Sequence, residues 1–189
     1  NAQMECIQFL IGSCNVEINS RDIDGKTPLH HLCSAGKLGL IKILIEQYRA
    51  DVSSQDICGR SLLHEACTSG HLDCAKYLVE ACNVDVNIRR LGGNSPLHDA
   101  CRLGHLGCAK YLVEGCNMDI NSMDDDHSTS LHQACWGLSR DCIEYLIKSC
   151  HADVNARNRF HETPRDVAKI MGEPDLVHTS VHSPASLRV

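Results

Sequence analysis

Thirteen cysteines and twelve histidines in 189 residues invite three chemical readings: metal ligation, disulfide cross-linking, and a nucleophilic cysteine activated by imidazole. Spacing decides among them. Cys33, Cys67, Cys101 and Cys135 recur every 34 residues. Cys6, Cys74, Cys108 and Cys142 form a second column with Leu40 in the open place, and Cys14, Cys82, Cys116 and Cys150 form a third with Tyr48. Columns that accept Leu or Tyr in place of Cys want an apolar filler, which is how buried free thiols behave. Packed helices lie about 8–10 Å apart, too far for a disulfide within one column. No Cys-x-x-Cys pair occurs, so a tetrahedral zinc site has no support. The expected metal and cofactor complement is none. Cys58 alone stands outside the columns, near a turn tip, and is the thiol expected to react most readily.

His30, His64, His98 and His132 keep the same 34-residue beat. A catalytic Cys/His pair would require one unit to break the pattern, and the unit that does break it offers Trp136 and His127 without a nucleophile and base. The chain therefore reads as non-enzymatic, with no catalytic residue. Reduced thiols in such number place it in the cytoplasm, with the nucleus as second compartment.

The elements that position these residues follow one repeating grammar. Thr27-Pro28-Leu29-His30 returns as Ser61-Leu62-Leu63-His64, Ser95-Pro96-Leu97-His98, Thr129-Ser130-Leu131-His132 and, more distantly, Thr163-Pro164-Arg165-Asp166. A fixed period of this size marks a solenoid. A polar turn holding Gly25, Gly59 or Gly93 leads into each short first helix, with Pro suited to its first position. Gly36, Gly70 or Gly104 ends that helix. The spacing predicts second helices over 38–47, 72–81, 106–115 and 140–149, where Leu72, Ala75, Leu78 and Val79 show one apolar stripe. Helices this short depend on packing against their neighbours.

These motifs resemble the ankyrin repeat, whose signature is Gly-x-Thr-Pro-Leu-His-x-Ala, then Gly-His, paired Leu, and a closing Asp-Val-Asn, seen here at Asp85-Val86-Asn87 and Asp153-Val154-Asn155. The Trp and Tyr pattern of tetratricopeptide repeats, which share the 34-residue length, is absent. The resemblance implies an all-α fold: an ankyrin-repeat solenoid of stacked helix-turn-helix units joined by β-turn or hairpin loops. It covers residues 1–177 as a partial repeat at 1–21, full units at about 22–55, 56–89, 90–123 and 124–157, and a C-terminal capping repeat at 158–177; residues 178–189 read as a flexible tail. Opening on half a repeat implies that the missing half lay upstream in a longer parent. The period exceeds the family's usual length by one residue, placed after the second helix around Cys82-Asn83-Val84. In the unit at 124–157, His127 replaces the turn glycine, and Leu138 replaces the inter-helix glycine while Gly137 lies one position early. That displacement predicts altered local geometry. The resemblance also implies that the repeated histidine braces the turn, and that Asn87 and Asn155 sit where family members are hydroxylated, although a hydrogen bond inside the turn explains them without modification and is the favoured reading.

A net charge of −6 argues against a broad grip on nucleic-acid phosphates, and no apolar run is long enough to insert in a membrane. With the repeated positions assigned to structure, recognition falls to the variable ones. In the family's architecture the turn tips and first helices line a concave face. On it, Arg90, Leu91, Arg102, Leu103, Asp125, Gln133 and Trp136 are the candidate partner-binding residues, suited to a protein or peptide with an apolar anchor and charges of both signs rather than to a small-molecule substrate. Two functions follow: a stand-alone protein-interaction module, or the substrate-recruiting part of a larger enzyme assembly such as a ubiquitin ligase or kinase.

Overall fold

A computed structural model describes residues 17–177, so most of the half repeat expected at 1–21 and the whole tail at 178–189 lie outside the described residues. Within them, nine α-helices run in pairs. These are α1 (Pro28–Ser34) with α2 (Leu38–Glu46), α3 (Leu62–Thr68) with α4 (Leu72–Glu80), α5 (Pro96–Arg102) with α6 (Leu106–Lys110), α7 (Ser130–Trp136) with α8 (Arg140–Lys148), and a last α9 (Pro164–Ile170). First helices pack in the order α1, α3, α5, α7, α9, and second helices in the order α2, α4, α6, α8. Among the described residues there is no strand, only the isolated bridges Gln55 to Ser61 and Met123 to Thr129. No helix there is long and apolar enough to cross a membrane.

Each first helix starts at a Thr or Ser in extended backbone, with Pro following in α1, α5 and α9. In the first four, the histidine three residues on closes a capping box. His64 Nδ1 accepts from the Ser61 N–H at 3.2 Å, and its Nε2–H donates 3.1 Å to the Asn94 carbonyl of the following unit. His30 does the same between Thr27 and Arg60, and His132 between Thr129 and Glu162. His98 reaches both the Ser122 and Ser128 carbonyls. Because Nε2 faces a carbonyl it must carry the proton, leaving Nδ1 as acceptor: the neutral tautomer is built into the fold. Burial holds all four imidazoles below their ordinary pKa.

The second helices close with the extra residue. The N–H groups of Cys82, Cys116 and Cys150 reach back five residues, to Tyr77, Tyr111 and Tyr145, and α6 continues as a π-helical turn over Tyr111–Gly115. Insertion of one residue into a helix gives this wider turn. The next residue, Asn83, Asn117 or His151, is left-handed and exits the helix. The tyrosines themselves bridge repeats: the Tyr77, Tyr111 and Tyr145 hydroxyls donate to Glu46, Glu80 and Glu114, while Lys42, Lys76 and Lys110 sit about 5 Å over the rings.

Cys33, Cys67, Cys74, Cys101, Cys108, Cys135 and Cys142 are buried in the core. All described cysteines are free, and burial pushes the Cys135 thiol up to about 12. The thiols that meet lie across columns, Cys67 with Cys108 and Cys101 with Cys142. Among the described residues, no group of three or more His, Cys, Asp or Glu side chains is placed to hold a metal ion.

The altered geometry expected in the unit at 124–157 does not occur at the two substituted glycine positions. His127 adopts a left-handed φ of 58°, in the region that Gly25, Gly59 and Gly93 occupy at the same position, and Leu138 adopts 53° where its equivalents are glycines. Backbone hydrogen bonding holds both residues there, so at these two positions sequence irregularity is absorbed as local strain.

Candidate partner-binding face

Four turn fingers and a fifth at 158–162 stand side by side, joined by single backbone hydrogen bonds from Ile57 to Asp24, Leu91 to Cys58, Asp125 to Gly92 and Arg159 to Asp126. Guanidinium groups lock the fingers from beneath, as when Arg89 donates to both the Gly93 and Met123 carbonyls at 2.6 Å. Arg21 makes the equivalent pair to Gly25 and Gln55. The fingers and the first helices thus form a continuous, pre-organised face.

Some candidate residues on this face serve the fold. Arg90 embraces Asp99 through two nitrogens, with distances of 2.8 and 3.1 Å, and the Asp99 side chain is only 5% exposed. That carboxylate raises the Arg90 pKa. Gln133 is buried, and its Nε2 donates to Asp124 at 2.9 Å. Asp22 and His31 make the same finger-to-helix contact at 2.8 Å. In these three units the pairing ties residue n of a finger to residue n+9 of its helix; in the unit at 56–89 both positions are acidic, and Glu65 instead meets Lys26 of the preceding unit at 2.9 Å.

Other candidates are presented outward. Leu91 is 67% exposed, Leu103 51% and Trp136 40%, with Arg102 and Asp125 also exposed. Trp136 sits on the wall of a cleft of about 240 Å³ between the units at 124–157 and 158–177. Arg102 and Gln133 share that cleft, together with Asp126, Phe160 and Glu162, which are not among the candidates taken from the sequence. Leu91 lies apart, on a row of exposed finger-tip side chains with Ile23 and Ile57. The signal for Ile23, Ile57 and Phe160 was present in the sequence as large apolar residues at turn tips, where nothing in the repeat requires them.

Backbone geometry sets the position of Trp136. A Cβ on Gly137 would lie 1.6 Å from the Arg102 carbonyl oxygen, and Ser139 Oγ donates to that same oxygen at 3.1 Å. The equivalents of Gly137 are Ala35, Ser69 and Leu103, which carry a Cβ, so α7 ends closer to α5 than other neighbouring first helices do. Trp136 is thereby drawn beside Arg102. In the earlier units the matching carbonyls, Ser34 and Thr68, accept from His71 and His105 instead.

A family model described as "Ankyrin repeats (3 copies)" matches residues 1–90 and 82–158. A search of curated proteins gave no match.

Proposed function

Since the chain belongs to the ankyrin-repeat family, whose repeats generally serve protein–protein interaction and typically carry no enzymatic activity, we propose that it binds a protein or peptide on its finger-and-first-helix face, centred on Arg102, Leu103 and Trp136. The observation that carries this reading is the pair of exposed aromatic side chains lining the cleft, with exposed Leu103 next in the chain to Arg102: Trp136, Phe160 and Leu103 remain 40%, 61% and 51% exposed on a scaffold that buries the repeated leucines of its first helices. Exposed large apolar side chains gathered on one face, with an Arg among them, are the usual material of interface hot spots. The mechanism is pre-organisation. Fingers linked through backbone bonds and buried histidines have little conformational freedom left to lose on binding. Leu91 and Asp125 extend the surface along the tips. Arg90 and Gln133 contribute by holding the fingers against the helices.

Selection of displayed random peptides on the intact chain tests the reading. Retained peptides are expected to lose at least about tenfold in affinity on Trp136→Ala, the effect of removing a hot-spot side chain. Peptides whose binding ignores Trp136→Ala, Arg102→Glu and Leu103→Ala alike would move the site off this face.

A further inference from the structure

We propose that the cleft walled by Trp136 and Phe160 receives one cationic side chain, a guanidinium by preference, from an extended segment of the partner. This rests on the interaction reading above and specifies the chemistry of its centre. At about 240 Å³ the cleft has room for a single long side chain. Its walls are two exposed aromatic rings, and aromatic faces attract cations through the ring quadrupole. Its floor is built of acceptors. Gln133 donates one amide N–H to Asp124, and its carbonyl oxygen is an acceptor for an occupant. Asn158 donates to Glu162 Oε2 at 2.9 Å and accepts the Phe160 and Glu162 N–H groups, fixing that carboxylate at the cleft.

The same chemistry is already realised beside the cleft. The Arg159 guanidinium lies 5.0 Å over the Phe160 ring and 2.6 Å from Asp126 Oδ1. A planar cation thus fits an aromatic face and a carboxylate presented by this finger, and the cleft offers a second set. Of the charged side chains lining the cleft, Asp126 is paired with Arg159, so Glu162 is the carboxylate left to meet an incoming cation. Arg102, which also lines the cleft, enters no salt bridge among the described residues. It disfavours a second cation and suits a carboxylate on a neighbouring residue of the partner.

Trp136 is the single tryptophan, so its fluorescence reports on the cleft directly. The intact chain would be titrated at low ionic strength with N-acetyl-arginine amide, N-acetyl-norleucine amide and N-acetyl-glutamate amide. A saturable Trp136 response to the arginine probe is expected, at least about fivefold weaker for norleucine, since the charge supplies the difference. Glu162→Gln, which keeps the Asn158 contact, is expected to weaken the arginine response, and Arg102→Gln to strengthen it. Equal or tighter binding of norleucine, or a response confined to glutamate and lost in Arg102→Gln, would overturn the proposal. Displayed peptides separate the two levels. Peptides retained through Trp136 but with no enrichment of Arg or Lys refute the cationic occupant and leave the interaction face standing, whereas no retained peptide and no probe response defeats both.

Discussion

Acidification from about pH 7.5 to about pH 5.5 is expected to lower stability, by up to about 5 kcal/mol, through the four buried histidines that brace the fingers. Each of His30, His64, His98 and His132 is held neutral, with Nδ1 accepting a cap N–H and Nε2–H donating to the following unit. A proton added at Nδ1 would face that N–H, and the charge would sit in the core. The folded pKa is therefore depressed below the 6.5 of the unfolded chain, as burial dictates. With a depressed folded pKa, unfolding takes up protons, so the stabilisation is complete above pH 6.5 and is lost as pH falls toward the folded value. A histidine that stays neutral in the fold loses about 1.4 kcal/mol across this interval, so four lose up to about 5 kcal/mol. Against a total of about 5–15 kcal/mol this upper bound is a large fraction, equivalent to a Tm decrease of at most about 10–20 °C. The carboxylates held low, Asp22, Asp51, Glu144 and Asp166, titrate from ordinary values of 3.8 to 4.5 and so leave the window to histidine. Urea unfolding followed by far-ultraviolet circular dichroism at four or five pH values measures the slope. Stability that stays flat between about pH 7.5 and about pH 5.5 would refute the assigned tautomers and their burial.

Three tests address the irregular unit and the polar pairs. Gly137→Ala places a Cβ against the Arg102 carbonyl and is expected to destabilise by about 3 kcal/mol, whereas Leu138→Gly relieves a left-handed residue and gains about 0.5–1 kcal/mol; chemical denaturation of both variants gives opposite signs if the path is as described. Ser130 opens α7 where α1, α5 and α9 have Pro, and its buried hydroxyl has no hydrogen-bond partner. Thr129 already has the extended backbone Pro requires before it, so Ser130→Pro is expected to raise Tm by about 2–6 °C in calorimetry. Arg90→Ala strands the buried Asp99 and is expected to cost about 3 kcal/mol, while Arg102→Ala stays within about 0.5 kcal/mol, which thermal unfolding distinguishes.

The repeated positions were legible because each recurs in the same chemical setting. Column by column, the caps, turn glycines and cysteines reveal what they must do, since a thiol interchangeable with Leu40 is a filler. Arg90 and Gln133 also carry a structural role that the sequence hid for a physical reason. They vary between units as binding residues would, yet each is one half of a pair nine residues apart, and only Asp22 with His31, Arg90 with Asp99 and Asp124 with Gln133 taken together show the constraint. The tyrosine bridges on the second helices were equally open to view but depend on Lys and Glu from the preceding unit, a separation of 31 residues from Tyr to Glu that single-helix periodicity does not register. Phe160, Asp126 and Glu162 come from two units, so their convergence on Trp136 required the stacking geometry.

The displaced glycine connects the strain to the proposed site. Restoring the regular order, with a Cβ at 137 and Gly at 138, would suit the backbone at 138 but force α7 away from the Arg102 carbonyl. The chain instead keeps a left-handed Leu138, costing about 1–2 kcal/mol, and obtains the close approach that sets Trp136 beside Arg102. Ser139 replaces the histidine of earlier units as donor to that carbonyl, and its shorter reach matches the shorter separation. Local rules are broken together at 136–139, where the largest exposed aromatic of the first helices is held. Among the described residues the other left-handed non-glycine residues are Arg, Asn and His, so a left-handed aliphatic side chain at this place is best explained by what the place presents.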